Sequence, residues 1–98
     1  MEPTLKFRIS DDVRTKLKDK HYVTEREIHQ CFCNRDGGLL EDPREVHKTN
    51  PPTEWFIAPT NKGRMLKVCF VQVGHDIDIK TAFEADQESI RIYNKFAY

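Results

Sequence analysis

Gly63-Arg64-Met65-Leu66-Lys67-Val68-Cys69-Phe70-Val71-Gln72-Val73-Gly74-His75-Asp76-Ile77-Asp78-Ile79-Lys80-Thr81-Ala82-Phe83-Glu84 reads as two strands joined at Gly74-His75. From Met65 to Val73 both alternating sets are largely apolar, Met65, Cys69, Val71 and Val73 on one and Leu66, Val68 and Phe70 on the other. Such a run suits a central strand covered on both faces. Asp76 to Thr81 alternates instead, with Ile77 and Ile79 on one side and Asp78 and Lys80 on the other, which marks a strand with one wet face. That wet face is where ligand chemistry is expected.

Working outward, Glu54–Pro59 (E-W-F-I-A-P) is the preceding strand, and Thr60-Asn61-Lys62-Gly63 makes the connection. A shorter return strand is expected near Leu39 to Asp42, and the polar stretch from Pro43 to Thr53, with Asn50-Pro51-Pro52, reads as an exposed loop. Toward the N-terminus, Thr24 and Glu27 form a capping box, with Val23 and Ile28 as its hydrophobic staple, so a helix begins there and buries Ile28, Cys31 and Phe32. Asn34 to Gly38 stops it. An earlier short helix starts at Ser10, with Asp11 and Asp12 at its positive end and Lys16, Lys18 and Lys20 toward its negative end. Leu5 to Ile9 alternates apolar with basic residues and reads as a short strand or extended lead-in. Asp86 to Phe96 carries Ile90 and Tyr93 at helical spacing, a C-terminal helix leaning on the sheet. The expected fold is therefore α+β: a four-stranded antiparallel meander, two N-terminal helices and one C-terminal helix, with helices on one face. Residues 1–98 read as a single domain without repeat or linker.

Sixteen basic and sixteen acidic residues balance to zero, so no whole-molecule field announces nucleic acid or an anionic membrane. No segment approaches the roughly 20 apolar residues of a membrane span, and the start of the chain lacks a leader pattern, so a cytoplasmic location without membrane partners is expected. Three cysteines, two of them at Cys31 and Cys33, do not form a disulfide framework. His29, Cys31 and Cys33 lack the spacing of a tetrahedral metal set, and Asp42, Asp76 and Asp78 lack that of a cation loop. Neither a metal nor another cofactor is expected.

A set of short motifs carries a more specific signal. Lys20-His21 followed by Val23 and Glu27, then Trp55-Phe56-Ile57-Ala58-Pro59-Thr60, Gly63-Arg64-Met65-Leu66 leading into Val68-Cys69-Phe70-Val71, Ile77-Asp78-Ile79-Lys80-Thr81-Ala82, and Arg91-Ile92-Tyr93 occur in that order. Together they resemble the BrnT family of bacterial toxins, within the RelE-like ribonuclease superfamily. The resemblance runs from about Lys20 to Tyr93 and implies a metal-independent ribonuclease held by a cognate antitoxin, with RNA as substrate. On that reading the catalytic set is His21, Arg64, Lys80 and Arg91: an imidazole that titrates near neutrality, and cations to hold phosphate. Lys20, Lys67 and Tyr93 would bind substrate, and self-association is a further option. Where the family usually places arginines after the small residue ending the last strand, this chain has Phe83 and Glu84.

That departure and the neutral charge point to a second class of function, a non-catalytic module binding a protein or nucleotide. A third is a small ADP-ribosyl or nucleotide hydrolase. Structural roles are also open to each candidate. Lys20 and His21 can complement a helix C-terminus, Arg64 can begin a strand and pair with a neighbouring acid, Lys67 can snorkel past the core, Arg91 can pair with Glu88, Tyr93 can be a core aromatic, and Trp55 can pack the sheet.

Overall fold

A computed structural model describes residues 6–42 and 52–98. Its helices are α1 (Asp11–Lys16), continued by a π-helical turn at Leu17–His21, α2 (Glu25–Asn34) and α3 (Gln87–Phe96). Its strands are β1 (Lys6–Arg8), β2 (Leu40–Glu41), β3 (Glu54–Pro59), β4 (Met65–Val73) and β5 (Asp76–Glu84), in one sheet of order β1-β5-β4-β3-β2. The class is α+β as expected, but the sheet is five-stranded and mixed rather than a four-stranded antiparallel meander. The loop expected from Pro43 to Thr53 falls mostly outside the described residues.

The added strand is β1, which pairs parallel to β5 with Phe7 beside Ile77 and Arg8 beside Asp78. Its alternation explains why it joins. Phe7 turns to the core and packs against the tilted ring of His29 and edge-on to Phe32, with ring centroids 4.1 and 4.9 Å away. Arg8 turns to the other side, where its Nε and Nη2 donate to the Asp78 carboxylate at 2.5 and 2.9 Å. This pairing holds the Asp78 carboxyl below its usual range.

β4 is central, as read from its sequence, with β3 and β5 antiparallel on either side. Leu66, Val68 and Phe70 are fully buried against Phe56, Ala58 and Ala82. Each large side chain sequestered there stabilises the fold by about 2 kcal/mol. The capping box of α2 is intact: Glu27 N–H donates to Thr24 Oγ1 at 3.1 Å, and Thr24 N–H donates to Glu27 Oε1 at 3.0 Å. The helix thus started lays Phe32 edge-on to Phe56 and Phe70. At α3, Asp86 caps by accepting from Ser89 N–H at 2.7 Å.

The helices do not share one face. Adjacent residues on a strand point to opposite sides. Phe56 meets Phe32 of α2, whereas its neighbour Trp55 meets Tyr93 of α3, so α3 covers the reverse of the sheet. Trp55, Phe56, Ile57 and Ala58 are accordingly buried in succession. The unbroken apolar run in β3 was the signal for two covered faces. No helix among the described residues is long and apolar enough to cross a membrane.

Candidate functional site

Arg64 closes the connection between β3 and β4, just after Gly63, whose φ of +85° is a backbone conformation that favours glycine. Thr60 shapes this turn: its carbonyl accepts from Gly63 N–H at 2.9 Å, and its Oγ1 accepts from Arg64 N–H at 3.1 Å. So launched, the guanidinium reaches the junction between the π-helical turn and α2. Nη1 donates to the Tyr22 carbonyl at 2.8 Å and to Glu27 Oε1 and Oε2 at 3.2 and 3.1 Å. Nη2 donates to the His21 carbonyl at 3.2 Å, and Nε donates to Glu84 Oε1 at 3.1 Å. All three guanidinium nitrogens are engaged inside the protein, by two carboxylates and two backbone carbonyls.

The charges respond to this packing. Partial burial works against ionisation of both Arg64 and Glu27, yet the bonds and opposite charges around each together outweigh it, from Glu27 and Glu84 for the guanidinium and from Thr24 and Arg64 for the carboxyl. The guanidinium is held above its ordinary value. The Glu27 carboxyl is held below its own, with the Thr24 amide contributing as well.

The clamped carbonyls belong to a strained junction. The π-helical turn ends with Tyr22 in the left-handed region, φ 55° and ψ 44°. The backbone N–H groups of Tyr22 and Val23 both donate to the Leu17 carbonyl. Gly or Asn normally occupies such a cap, and a bulky residue there is an outlier. Tyr22 is 75 % exposed, while its neighbour Val23 and Leu17 of the turn are core residues. Beside them lies a groove of about 500 Å³, lined by Arg14, Leu17, Lys18, Tyr22, Val23 and Glu25 among others. Arg14 and Glu25 form an ion pair on its wall.

His21 shares this junction. Its ring stands 5.6 Å from that of Phe83, at the part of β5 beyond the three residues paired with β1. Partial burial, then the positive charges of Lys20 and Lys16, lower the imidazole pKa, leaving it neutral at pH 7. Sequence reasoning thus named two neighbours, His21 and Arg64, but it missed Tyr22 and read Glu27 only as a cap. The available signal was the run Lys20-His21-Tyr22-Val23-Thr24 joining two helices without a Gly or Asn.

The other candidates lie elsewhere. Alternation puts Lys80 beside Asp78 on the wet face, and it stands there, although a bulge interrupts the β4–β5 ladder: Phe70 pairs with Ile79 and Cys69 with Thr81, which leaves Lys80 unopposed. Lys80 is exposed and lines a separate depression with Arg8, Ile9, Ser10, Val13 and Asp78. Lys67 sits with its ammonium 4.2 Å from the centre of the Trp55 ring. Tyr93 is buried, its hydroxyl donating to the Gly38 carbonyl at 2.7 Å. Arg91 is exposed on α3, and Lys20 is exposed on the π-helical turn. None of these five hydrogen-bonds to the Arg64 guanidinium.

Among the described residues, no group of three His, Cys, Asp or Glu side chains is placed to hold a metal ion. His29 packs against Phe7, Cys31 Sγ–H donates to the Ala58 carbonyl, and Cys33 is exposed. A scan of protein-family models finds no match to the chain, and a search of curated proteins finds none.

Proposed function

We propose that this chain is a non-catalytic binding module whose partner is a protein. The observation carrying this reading is the commitment of Arg64, the strongest phosphate-clamp candidate in the sequence, to Glu27, Glu84 and the carbonyls of His21 and Tyr22. A phosphate approaching it would meet two carboxylates, and like-charge proximity opposes that approach. The neutral net charge adds no long-range attraction for RNA. What Arg64 does support is geometry, since it ties the sheet to the junction that displays Tyr22.

A second reading, RNA cleavage of the BrnT type, draws on the neutral imidazole of His21 beside Lys16 and Lys20, which suits a general base. One experiment separates the two. Purified protein is incubated with RNA in chelator, in parallel with reconstitution of a complex from a co-purifying protein. The binding-module reading expects intact RNA and a stoichiometric complex. RNA cleavage that disappears in His21→Ala overturns it in favour of the second reading.

A further inference from the structure

Two independent features meet at the end of the π-helical turn. The first is conformational: Tyr22 holds a left-handed cap that glycine would occupy without steric cost, yet its ring is 75 % exposed. The ring makes no aromatic contact among the described residues, so core packing does not offset the backbone cost. The second is the adjoining groove, whose volume of about 500 Å³ falls within the range of roughly 300 to 1,000 Å³ typical of ligand sites. Buried Leu17 and Val23 provide its apolar floor, and exposed Tyr22 is among the residues that line it.

Charge narrows the choice of occupant. The chain is neutral as a whole, but residues 14–20 hold four basic side chains, Arg14, Lys16, Lys18 and Lys20, against the single acid Asp19. Arg14 is neutralised by Glu25, whereas Lys18, also on the groove wall, makes no ion pair among the described residues. An apolar floor bordered by one uncommitted ammonium suits a side chain with a carboxylate nearby better than a phosphate backbone, which is held by several cations at once. We infer that Tyr22 and its groove dock a protein segment presenting an apolar anchor residue flanked by carboxylates. This inference rests on the binding-module reading. The strained backbone then has a use: it holds an aromatic ring outward, with its carbonyl clamped by Arg64, before the partner arrives.

The test begins with a displayed library of short random peptides selected on the purified wild-type protein. Enriched sequences are then synthesised and titrated by fluorescence anisotropy. Expected are peptides enriched in Leu, Ile or Phe together with Asp or Glu, whose binding weakens as salt is raised. Tyr22→Gly, which suits the left-handed cap, should keep its fold by circular dichroism while losing about tenfold or more in affinity. Lys18→Glu should lose affinity for acidic peptides and gain it for charge-reversed ones. Failure to enrich acidic peptides, or equal binding by wild type and Tyr22→Gly, overturns the assignment of this site. Binding of an RNA oligonucleotide that Lys18→Glu abolishes, without peptide binding, overturns it in favour of nucleic acid. Failure of the underlying reading gives a different result, namely cleavage of RNA that depends on His21.

Discussion

Replacing Arg64 with methionine keeps an unbranched stem of similar reach while deleting five donor contacts, to Glu27, Glu84 and the carbonyls of His21 and Tyr22. The magnitude follows from exposure. The Arg64 and Glu27 side chains are about one quarter exposed, at 26 % and 24 %, whereas Glu84 is 69 % exposed. Breaking a fully buried pair costs about 3–5 kcal/mol and an exposed one about 0–1 kcal/mol. The Arg64–Glu27 pair falls between, and loss of the carbonyl contacts adds to it. Arg64→Met should therefore destabilise by about 2–3 kcal/mol, read as a lower urea midpoint with unchanged slope. Double-mutant cycles then rank the partners: coupling to Glu27 should be about 1 kcal/mol and coupling to Glu84 about 0.3 kcal/mol or less. A loss below about 0.5 kcal/mol, or a coupling to Glu84 equal to that with Glu27, would refute the brace.

Acid should weaken the same contact. The Glu27 carboxyl is depressed in the folded chain, so below its ordinary value of 4.5 the unfolded chain takes up the proton first. The stability it contributes is thus intact at higher pH and lost as pH falls through the folded value, a slope that Glu27→Gln should remove in pH-dependent urea titrations. The His21 pKa is lowered too, so a separate loss should begin as pH falls through 6.5 and be absent in His21→Ala. Thiol labelling of the native protein should modify exposed Cys33 well before Cys31, whose buried thiol is pushed up to about 11; comparable rates would show that α2 opens readily. Gly37→Ala would place a methyl carbon 2.8 Å from the Tyr93 hydroxyl, against a buried ring, and should cost about 1–3 kcal/mol in thermal or urea unfolding.

Local chemistry was readable in the sequence. Thr24 and Glu27 announced the start of α2, and both do what that pattern requires. The apolar sets of Met65 to Val73 located the central strand. What escaped were facts set by distant parts of the chain. Phe7 finds its place beside Ile77, seventy residues on, and that parallel pairing has no local signature. The alternation that put Lys80 beside Asp78 gave no sign of the bulge opposite Cys69 and Phe70. That Arg64 could pair with an acid was readable, but not which one, because Glu27, its main partner, lies 37 residues away and was already accounted for as a cap. The junction at Tyr22 was hidden for the opposite reason: left-handed caps are usually recognised by Gly or Asn, and here a tyrosine takes that conformation.

Whether Arg64 spends its charge inside the fold can be read directly from the ¹H–¹⁵N signal of its Nε–H group, assigned by its loss in Arg64→Lys. An Nε–H held by Glu84, beside an Nη1 that donates to Glu27 and the Tyr22 carbonyl, should give a resolved signal at neutral pH that stays in place when inorganic phosphate or an RNA oligonucleotide is added. A saturable shift of that signal with either anion would mean that the guanidinium leaves its carboxylates for a ligand, and would contradict the account.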